Sequence, residues 1–364
     1  MRHKASQPWN LNIDKKFQPS VSILVPMHNE EKIIRFKLAN LFKIDYPAEK
    51  VEIILINDAS SDNTLEEINR FLQPDHGKSV IILNEMSHKG KTEALNLGLK
   101  QAKGEVIVVS DADCFWPSDI LTKTLPFLSD PSVGAVAGKE AFINDSSSLT
   151  MKSEIFFDKT MQQMRLGESK VNSTLFLGGG FTAYKKIFLG KFDSEVDDNG
   201  TALDIVQRNA RTLLIPEASF YTSFPTHWRN KVILKTRRAS SMQRVWGKCL
   251  TLLLARRLML SKRIAFSEIL LNFFNPFVFI ALVLFTGIVI FQYPLAAFAF
   301  LAIFIPAIAI PKTRTMIVEI IQNNLILLLA MSSFHQNKKF TIWKPVQESR
   351  FLLKESILRQ NGLI

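Results

Sequence analysis

Over roughly its first two thirds the chain alternates short apolar runs with amphipathic stretches, and from about residue 268 it turns almost uniformly apolar. The run Val21 to Val25 in VSILVPMHNEE is closed by Pro26 and predicts a buried strand followed by a loop. Glu30 to about Phe42 places Ile33, Ile34, Leu38 and Leu41 on one helical face. Val51–Asp58 reads as a second buried strand, ASSDNT as a loop with a helix N-cap, and Thr64 to Leu72 as a helix. Ser79–Glu85 is a third strand, Glu93 to Ala102 a helix, and Gly104–Asp113 a fourth strand ending in acidic residues. Beyond it come a strand at Ala135 to Lys139 and an amphipathic helix at Ser148 to Met164. A glycine-rich turn at Phe176–Lys186, a loop leading into a helix at Asp197–Ala210, and a last strand in RTLLIPEA follow. Strands alternating with helices predict an α/β fold, a Rossmann-like, mostly parallel sheet with helices on both faces. In such sheets ligands bind beyond the carboxyl ends of the strands. His28, Asn29, Asp58, Asp111 and Asp113 all fall at those ends.

The apolar remainder predicts a C-terminal α-helical membrane region. Leu270 to Ile290 is long enough to span a bilayer, Pro294 to Ile310 is short but charge-free, and Thr315 to Phe334 is interrupted by Glu319, Gln322, Asn323 and Asn324. Lys312 and Arg314 between the last two segments, and a basic tail from Lys338, belong on the cytoplasmic side by the positive-inside rule. The first two segments then form a hairpin turning near Tyr293, with the third re-entrant or interfacial; three crossings are the alternative topology. The domain expectation is a polar leader at 1–20, a catalytic domain at 21–228, a basic interfacial amphipathic region at 229–267, membrane helices at 268–334 and a basic cytoplasmic tail at 335–364.

Charge sharpens this division. The net charge is +12, and no acidic residue occurs between Glu217 and Glu268, a stretch holding eleven lysines and arginines from Arg229 to Arg263. Such a block is either a solvated face or, beside an apolar segment, a surface for anionic lipid headgroups. The absence of a nucleic-acid motif sets nucleic acid aside as a partner. Two cysteines, Cys114 and Cys249, make neither a disulfide framework nor a zinc site and fit a reducing compartment. MRHKASQPWN lacks an apolar signal region, so the expected location is the cytoplasmic membrane with the catalytic domain on the cytoplasmic side.

The chemistry centres on Asp111 and Asp113, a D-x-D whose strand alternation aims both carboxylates to one side. Oxygen ligands of this kind suit Mg²⁺ or Mn²⁺ shared with substrate phosphates. HKGKT, His88–Thr92, is no P-loop, because Glu85 stands where the first glycine belongs. Lys89 and Lys91 are either diphosphate-neutralising cations or solvated loop lysines. Asp197 and Asp198, before a helix, are either caps or a general base.

These blocks together resemble family 2 glycosyltransferases of the GT-A fold, from about Val21 to about Trp246. VSILVPMHNEE resembles the opening strand and loop, which implies donor contacts from Pro26, His28, Asn29 and Glu30. EIILINDASSDNT resembles the second strand; Asn57 departs from the usual aspartate, and Asp58 matches the residue that contacts the nucleotide base. HKGKTEALNLGLKQAKGEVIVVSDAD resembles the lysine–glycine helix followed by the metal-binding D-x-D. The resemblance places Asp197 and Asp198 on the family's acidic pair, with Asp198 as catalytic base, and makes Gly178, Gly179 and Gly180 the floor of the acceptor site. Processive members carry Q-x-x-R-W. Here Gln243 and Trp246 are present but one position closer together than the motif sets them, Val245 stands before the tryptophan where arginine belongs, and Arg237, Arg238 and Arg244 stand in as donor-side cations. The implied activity is inverting transfer of a hexose from a nucleotide sugar, UDP first and GDP second, to a lipid-linked or glycan acceptor. Two alternatives are a processive polysaccharide synthase and a catalytically silent nucleotide-binding scaffold.

Overall fold

The computed structural model describes residues 2–73, 77–144, 147–193, 197–335 and 347–364. Among them, seven strands form one sheet: β1 (Val21–Met27), β2 (Val51–Asn57), β3 (Ser79–Asn84), β4 (Val106–Val109), β5 (Val133–Phe142), β6 (Thr182–Lys185) and β7 (Arg211–Thr222). Their order is β3-β2-β1-β4-β6-β5-β7, parallel throughout except that β6 runs antiparallel to both neighbours. The period-two pattern explains the layering. Val21, Ile23 and Val25 of β1, Ile53 and Leu55 of β2, and Val106 and Val108 of β4 enter one core. Leu24, Ile54, Ile56, Ile107 and Val109 enter the other.

The helices of the first half are α1 (Arg2–Ala5), α2 (Ile34–Phe42), α3 (Thr64–Leu72), α4 (Lys91–Gln101), α5 (Ile120–Thr124) and α6 (Leu149–Val171). Ile34, Leu38 and Leu41 of α2, Ile68 of α3 and Leu121 of α5 close the first core, while Ala94 and Leu95 of α4 close the second. The leader is no loose polar arm: Trp9, Leu11 and Phe17 pack against the first core, and Lys170 lies 3.7 Å over the Trp9 ring. Two further helices, α7 (Asp197–Gln207) and α8 (Trp228–Leu254), cover the second core with Leu203, Val206, Val245 and Trp246.

The apolar region holds α9 (Lys262–Ile269), α10 (Asn275–Gln292), α11 (Pro294–Ala309) and α12 (Pro311–His335). A π-helical turn at Leu270–Phe274 joins α9 to α10 immediately before Pro276, whose missing N–H breaks the regular ladder. Among the described residues, two helices are long and apolar enough to cross a membrane, Lys262–Gln292 at mean hydropathy 2.4 and Pro311–Ser333 at 1.5. The α12 helix runs unbroken through the polar residues that suggested an interruption. Glu319 is buried between Lys231 (3.1 Å) and Lys235 (2.8 Å) of α8, both of which also reach Glu154 of α6. Asn275 donates to Asn324 at 3.0 Å. Satisfying one another in this way keeps these polar groups compatible with a continuous helix.

The final residues do not extend away as a tail. Helices α13 (Gln347–Leu352) and α14 (Glu355–Gln360) return to the sheet, where Leu353, Leu358, Leu363 and Ile364 pack on Ile33 and Phe115. The start of the expected basic tail, Lys338 and Lys339 included, lies outside the described residues.

Candidate active site

The carboxyl ends of β1, β2 and β4 open onto one cleft. It is lined by Pro26, His28, Glu30, Asp58, Lys91, Asp111, Asp113, Gly178 to Gly180, Asp198, Arg237, Arg238 and Arg244. Two of them arrive by a local rule. Gly90, at φ 93, takes a backbone conformation that a side chain resists, and starts α4 so that Lys91 is its first residue. Asp198 is the second residue of α7, where the helix dipole favours an acid.

Lys91 organises the centre. Its Nζ lies 2.8 Å from Asp111 Oδ1 and 3.2 Å from Asp198 Oδ2, so one ammonium joins carboxylates 87 positions apart in the chain. Gly179 lies against all three groups and accepts the Asp111 N–H at 2.9 Å. The glycine loop is itself pinned: Trp116 Nε1 donates to the Gly180 carbonyl at 2.7 Å, and Thr182 Oγ1 to that of Gly178 at 2.8 Å. Burial pushes the Asp111 carboxyl up, but Lys91, Arg350 and Arg237 together outweigh it and hold the acid below its ordinary range.

The D-x-D is not an extended pair. β4 ends at Val109, and Asp111 to Cys114 form a turn closed by a 3.2 Å backbone bond. The strand alternation therefore no longer sets their directions: Asp111 meets Lys91, and Asp113 Oδ2 accepts from Arg350 Nη1 at 2.6 Å. Asp111, Asp113 and Cys114 can bring one ligand atom each within 4.8 Å of one another. The Cys114 thiol is buried and pushed well up, which leaves the two carboxylates as the fitting donors for a hard cation.

Arg350 also grips Glu30, donating from Nε at 3.0 Å and from Nη2 to the other oxygen. Burial pushes Glu30 up to about 7 against the pull of that arginine. Asp58 is almost wholly buried, and both its oxygens are occupied. They accept from the Lys89 N–H (2.9 Å), the Gly90 N–H (2.8 Å) and His88 Nδ1 (2.7 Å). Asp58 therefore shapes the loop in front of α4. His88 stacks on His28 at 3.8 Å between ring centroids, and His28 Nδ1 donates to the Asp58 carbonyl at 2.7 Å.

Four expected donor contacts lie elsewhere. Asn29, at φ 57, spends its side-chain oxygen on the Ser61 N–H at 2.8 Å. The Lys89 ammonium turns outward to Glu85 at 2.6 Å. Gln243 and Trp246 share the buried face of α8: Gln243 donates to the carbonyls of Asn272 and Leu327, and Trp246 sits in the second core. Helical spacing separates them from Arg237, Arg238, Ser241 and Arg244, which face the cleft. Burial pushes Glu168 up as well, away from the cleft, beside Glu268. The side chain of Asp197 lies outside the described residues, although its backbone opens α7. Sequence reasoning missed Arg350 and Glu140. No local pattern marks Arg350, and Glu140 shows itself only through its 3.3 Å pair with Arg238.

The sheet order and the acids gathered at its strand ends define a fold of the GT-A type. Residues 22–191 match the family described as Glycosyl transferase family 2. It is 40% identical over 144 residues to the probable glycosyltransferase YdaM of Bacillus subtilis, covering 39% of this chain and 34% of that one. It is 29% identical over 200 residues to the poly-beta-1,6-N-acetyl-D-glucosamine synthase of Staphylococcus aureus, covering 54% of this chain and 47% of that one. The chain thus spans about a third to a half of the length of these relatives. Among solved structures, the mannosyltransferase PcManGT from Pyrobaculum calidifontis, in complex with GDP-Man and Mn²⁺, superposes with a TM-score of 0.77 at 26% identity, covering 93% of both chains.

Proposed function

We propose that this protein is an inverting hexosyltransferase. It carries a sugar from a nucleotide-sugar donor to a membrane-associated, polyprenyl-linked acceptor at the cytoplasmic membrane, with Mg²⁺ or Mn²⁺ held by Asp111 and Asp113. The observation that supports this most directly is the Lys91 bridge between Asp111 and Asp198, seated on Gly179. It joins the metal-binding acid to the acid matched with the base at one point of the cleft. A bound cation would supply Lewis-acid stabilisation to the leaving diphosphate.

The chain's own groups do the rest. The acceptor oxygen attacks the anomeric carbon as the bond from that carbon to the diphosphate breaks, and the electron pair leaves with the nucleotide. Asp198 takes the acceptor proton when the acceptor is a hydroxyl; a phosphate acceptor needs no base, and Asp198 then orients it. Lys91, Arg237 and Arg244 place fixed positive charge where negative charge grows. The whole-length likeness to a mannosyltransferase solved with GDP-Man supports GDP-mannose as a donor to test beside UDP sugars. The two candidate membrane helices support a lipid-linked acceptor, and the exposed Arg256, Arg257, Lys262 and Arg263 beside them suit anionic headgroups. Single transfer is preferred to processive synthesis because Gln243 to Trp246 is one residue short of Q-x-x-R-W, with Val245 where the arginine would precede the tryptophan, and because Gln243 and Trp246 are buried away from the cleft.

The test is a screen of membranes with radiolabelled GDP-mannose and UDP sugars, followed by organic extraction. Label should enter lipid with Mn²⁺ or Mg²⁺, disappear on chelation, and be lost in Asp113→Ala. Failure of every donor to yield transferred label removes the proposal, and label in a long water-soluble polymer transfers it to the processive alternative.

A further inference from the structure

We propose that Arg350, delivered by the segment that follows the membrane helices, is a positioning residue that orients Asp113 for the divalent cation. This inference rests on the metal reading above and extends it to a part of the chain outside the family match.

The contact spans 237 positions of sequence, yet it is held from several sides. One residue before, Ser349 offers its carbonyl to Ser223 Oγ at 2.6 Å. Glu348 caps α8: it accepts from the Thr226 N–H at 2.9 Å, Thr226 Oγ1 at 2.6 Å, His227 Nδ1 at 2.7 Å and Asn230 Nδ2 at 2.7 Å. Further on, the Leu353, Leu358, Leu363 and Ile364 cluster docks on Ile33 and Phe115, and Asn40 Nδ2 donates to the Leu363 carbonyl at 2.7 Å. These anchors leave the Arg350 side chain only 9% exposed. Its Nε and Nη2 clamp the two oxygens of Glu30, which fixes the plane of the fork, and its Nη1 reaches Asp113 Oδ2.

A planar guanidinium satisfies both acids at once; an ammonium is a point charge and cannot keep this geometry. With Oδ2 fixed by Arg350, Asp113 keeps Oδ1 for a cation, against only the weak Cys114 thiol donor at 3.8 Å. Carboxylates that ligate metals are ordinarily held by such a second partner, and removing it costs about 10–100-fold in metal affinity. Arg350 also offsets a site where Glu30, Asp111 and Asp113 converge.

The experiment titrates the full-length, detergent-solubilised protein with Mn²⁺ alone and with Mn²⁺ plus GDP, following the free ion by paramagnetic resonance. Arg350→Ala is expected to bind Mn²⁺ about 10–100-fold more weakly, with Arg350→Lys failing to restore affinity and Phe351→Ala, an exposed neighbour, matching the wild type. Turnover should fall with little change in nucleotide KM. If Arg350→Ala destabilises the protein by baring Glu30, the Glu30→Gln/Arg350→Ala double variant removes that charge and should still bind Mn²⁺ weakly. Arg350→Ala binding Mn²⁺ as well as the wild type overturns the inference. So does tighter binding, which would make the arginine a competitor of the cation. Equal Mn²⁺ binding by the wild type and Asp113→Ala overturns the metal reading itself, whereas a wild type that binds more tightly than Asp113→Ala but no better than Arg350→Ala removes this inference alone.

Discussion

Replacing Gly179 by alanine adds one methyl group to the floor of the cleft. It would stand 2.3 Å from Lys91 Nζ, 2.7 Å from Asp111 Oδ2 and 2.9 Å from Asp198 Oδ2. Non-bonded heavy atoms settle near about 3.5 Å, so the ammonium has to retreat by roughly 1 Å and the ion pairs with it. A displacement of about 1 Å in a reacting constellation costs on the order of 10²-fold, equivalent to about 2.7 kcal/mol of transition-state stabilisation. The backbone carries no separate penalty, because Gly179 is not among the glycines with positive φ. The expected result is a fall of about 10²-fold in kcat/KM for sugar transfer, with the thermal unfolding midpoint nearly unchanged. Gly287→Ala is the control away from the cleft: its methyl meets nothing within 4 Å, and activity should persist. Wild-type turnover in Gly179→Ala would refute the argument that the Lys91, Asp111 and Asp198 cluster is the reacting geometry. Global unfolding of the variant would show that the glycine serves the fold and not the site.

Asp198→Asn should keep donor affinity and lose turnover by about 10²–10⁴-fold, measured by single-turnover transfer. Unchanged turnover would point to a phosphate acceptor that needs no base. Lys231→Met leaves Glu154 and Glu319 sharing one buried ammonium and should cost about 3–5 kcal/mol in denaturant unfolding. The Lys231→Met/Glu319→Met double variant should recover much of that loss, and a double variant no better than the single would count against the buried network. Glu348 suffers some desolvation, but the bonds from Asn230, Thr226 and His227 outweigh it and hold the carboxyl down near 2. Its folded value lies below the unfolded one, so the stability it contributes is complete above about 4.5 and is lost as the pH falls toward 2. The stability gap between wild type and Glu348→Gln should therefore be open at pH 6 and close across that acid range in thermal unfolding.

Much of the fold and part of the cleft are local properties of the chain. Buried parallel strands need near-continuous apolar runs, so Val21 to Val25, Val51 to Ile56 and Val106 to Val109, broken only at Ser22 and Glu52, announce themselves, and their ends place His28, Asp58, Asp111 and Asp113 at one edge. The apolar content of Lys262–Gln292 is equally legible, because it is a sum over neighbours in sequence. Three decisions were made only in three dimensions. The face of α8 that meets the cleft depends on what packs against the other one, and α12 and the second core claim Gln243 and Trp246. The polar residues of α12 look like breaks until Lys231 and Lys235 are seen opposite Glu319. Arg350 belongs to a short helix with no motif around it, and only chain closure brings its guanidinium to Asp113 and Glu30. Periodicity records what a residue's near neighbours need, whereas an ion pair across 237 positions depends on how the chain returns, which no window of sequence contains.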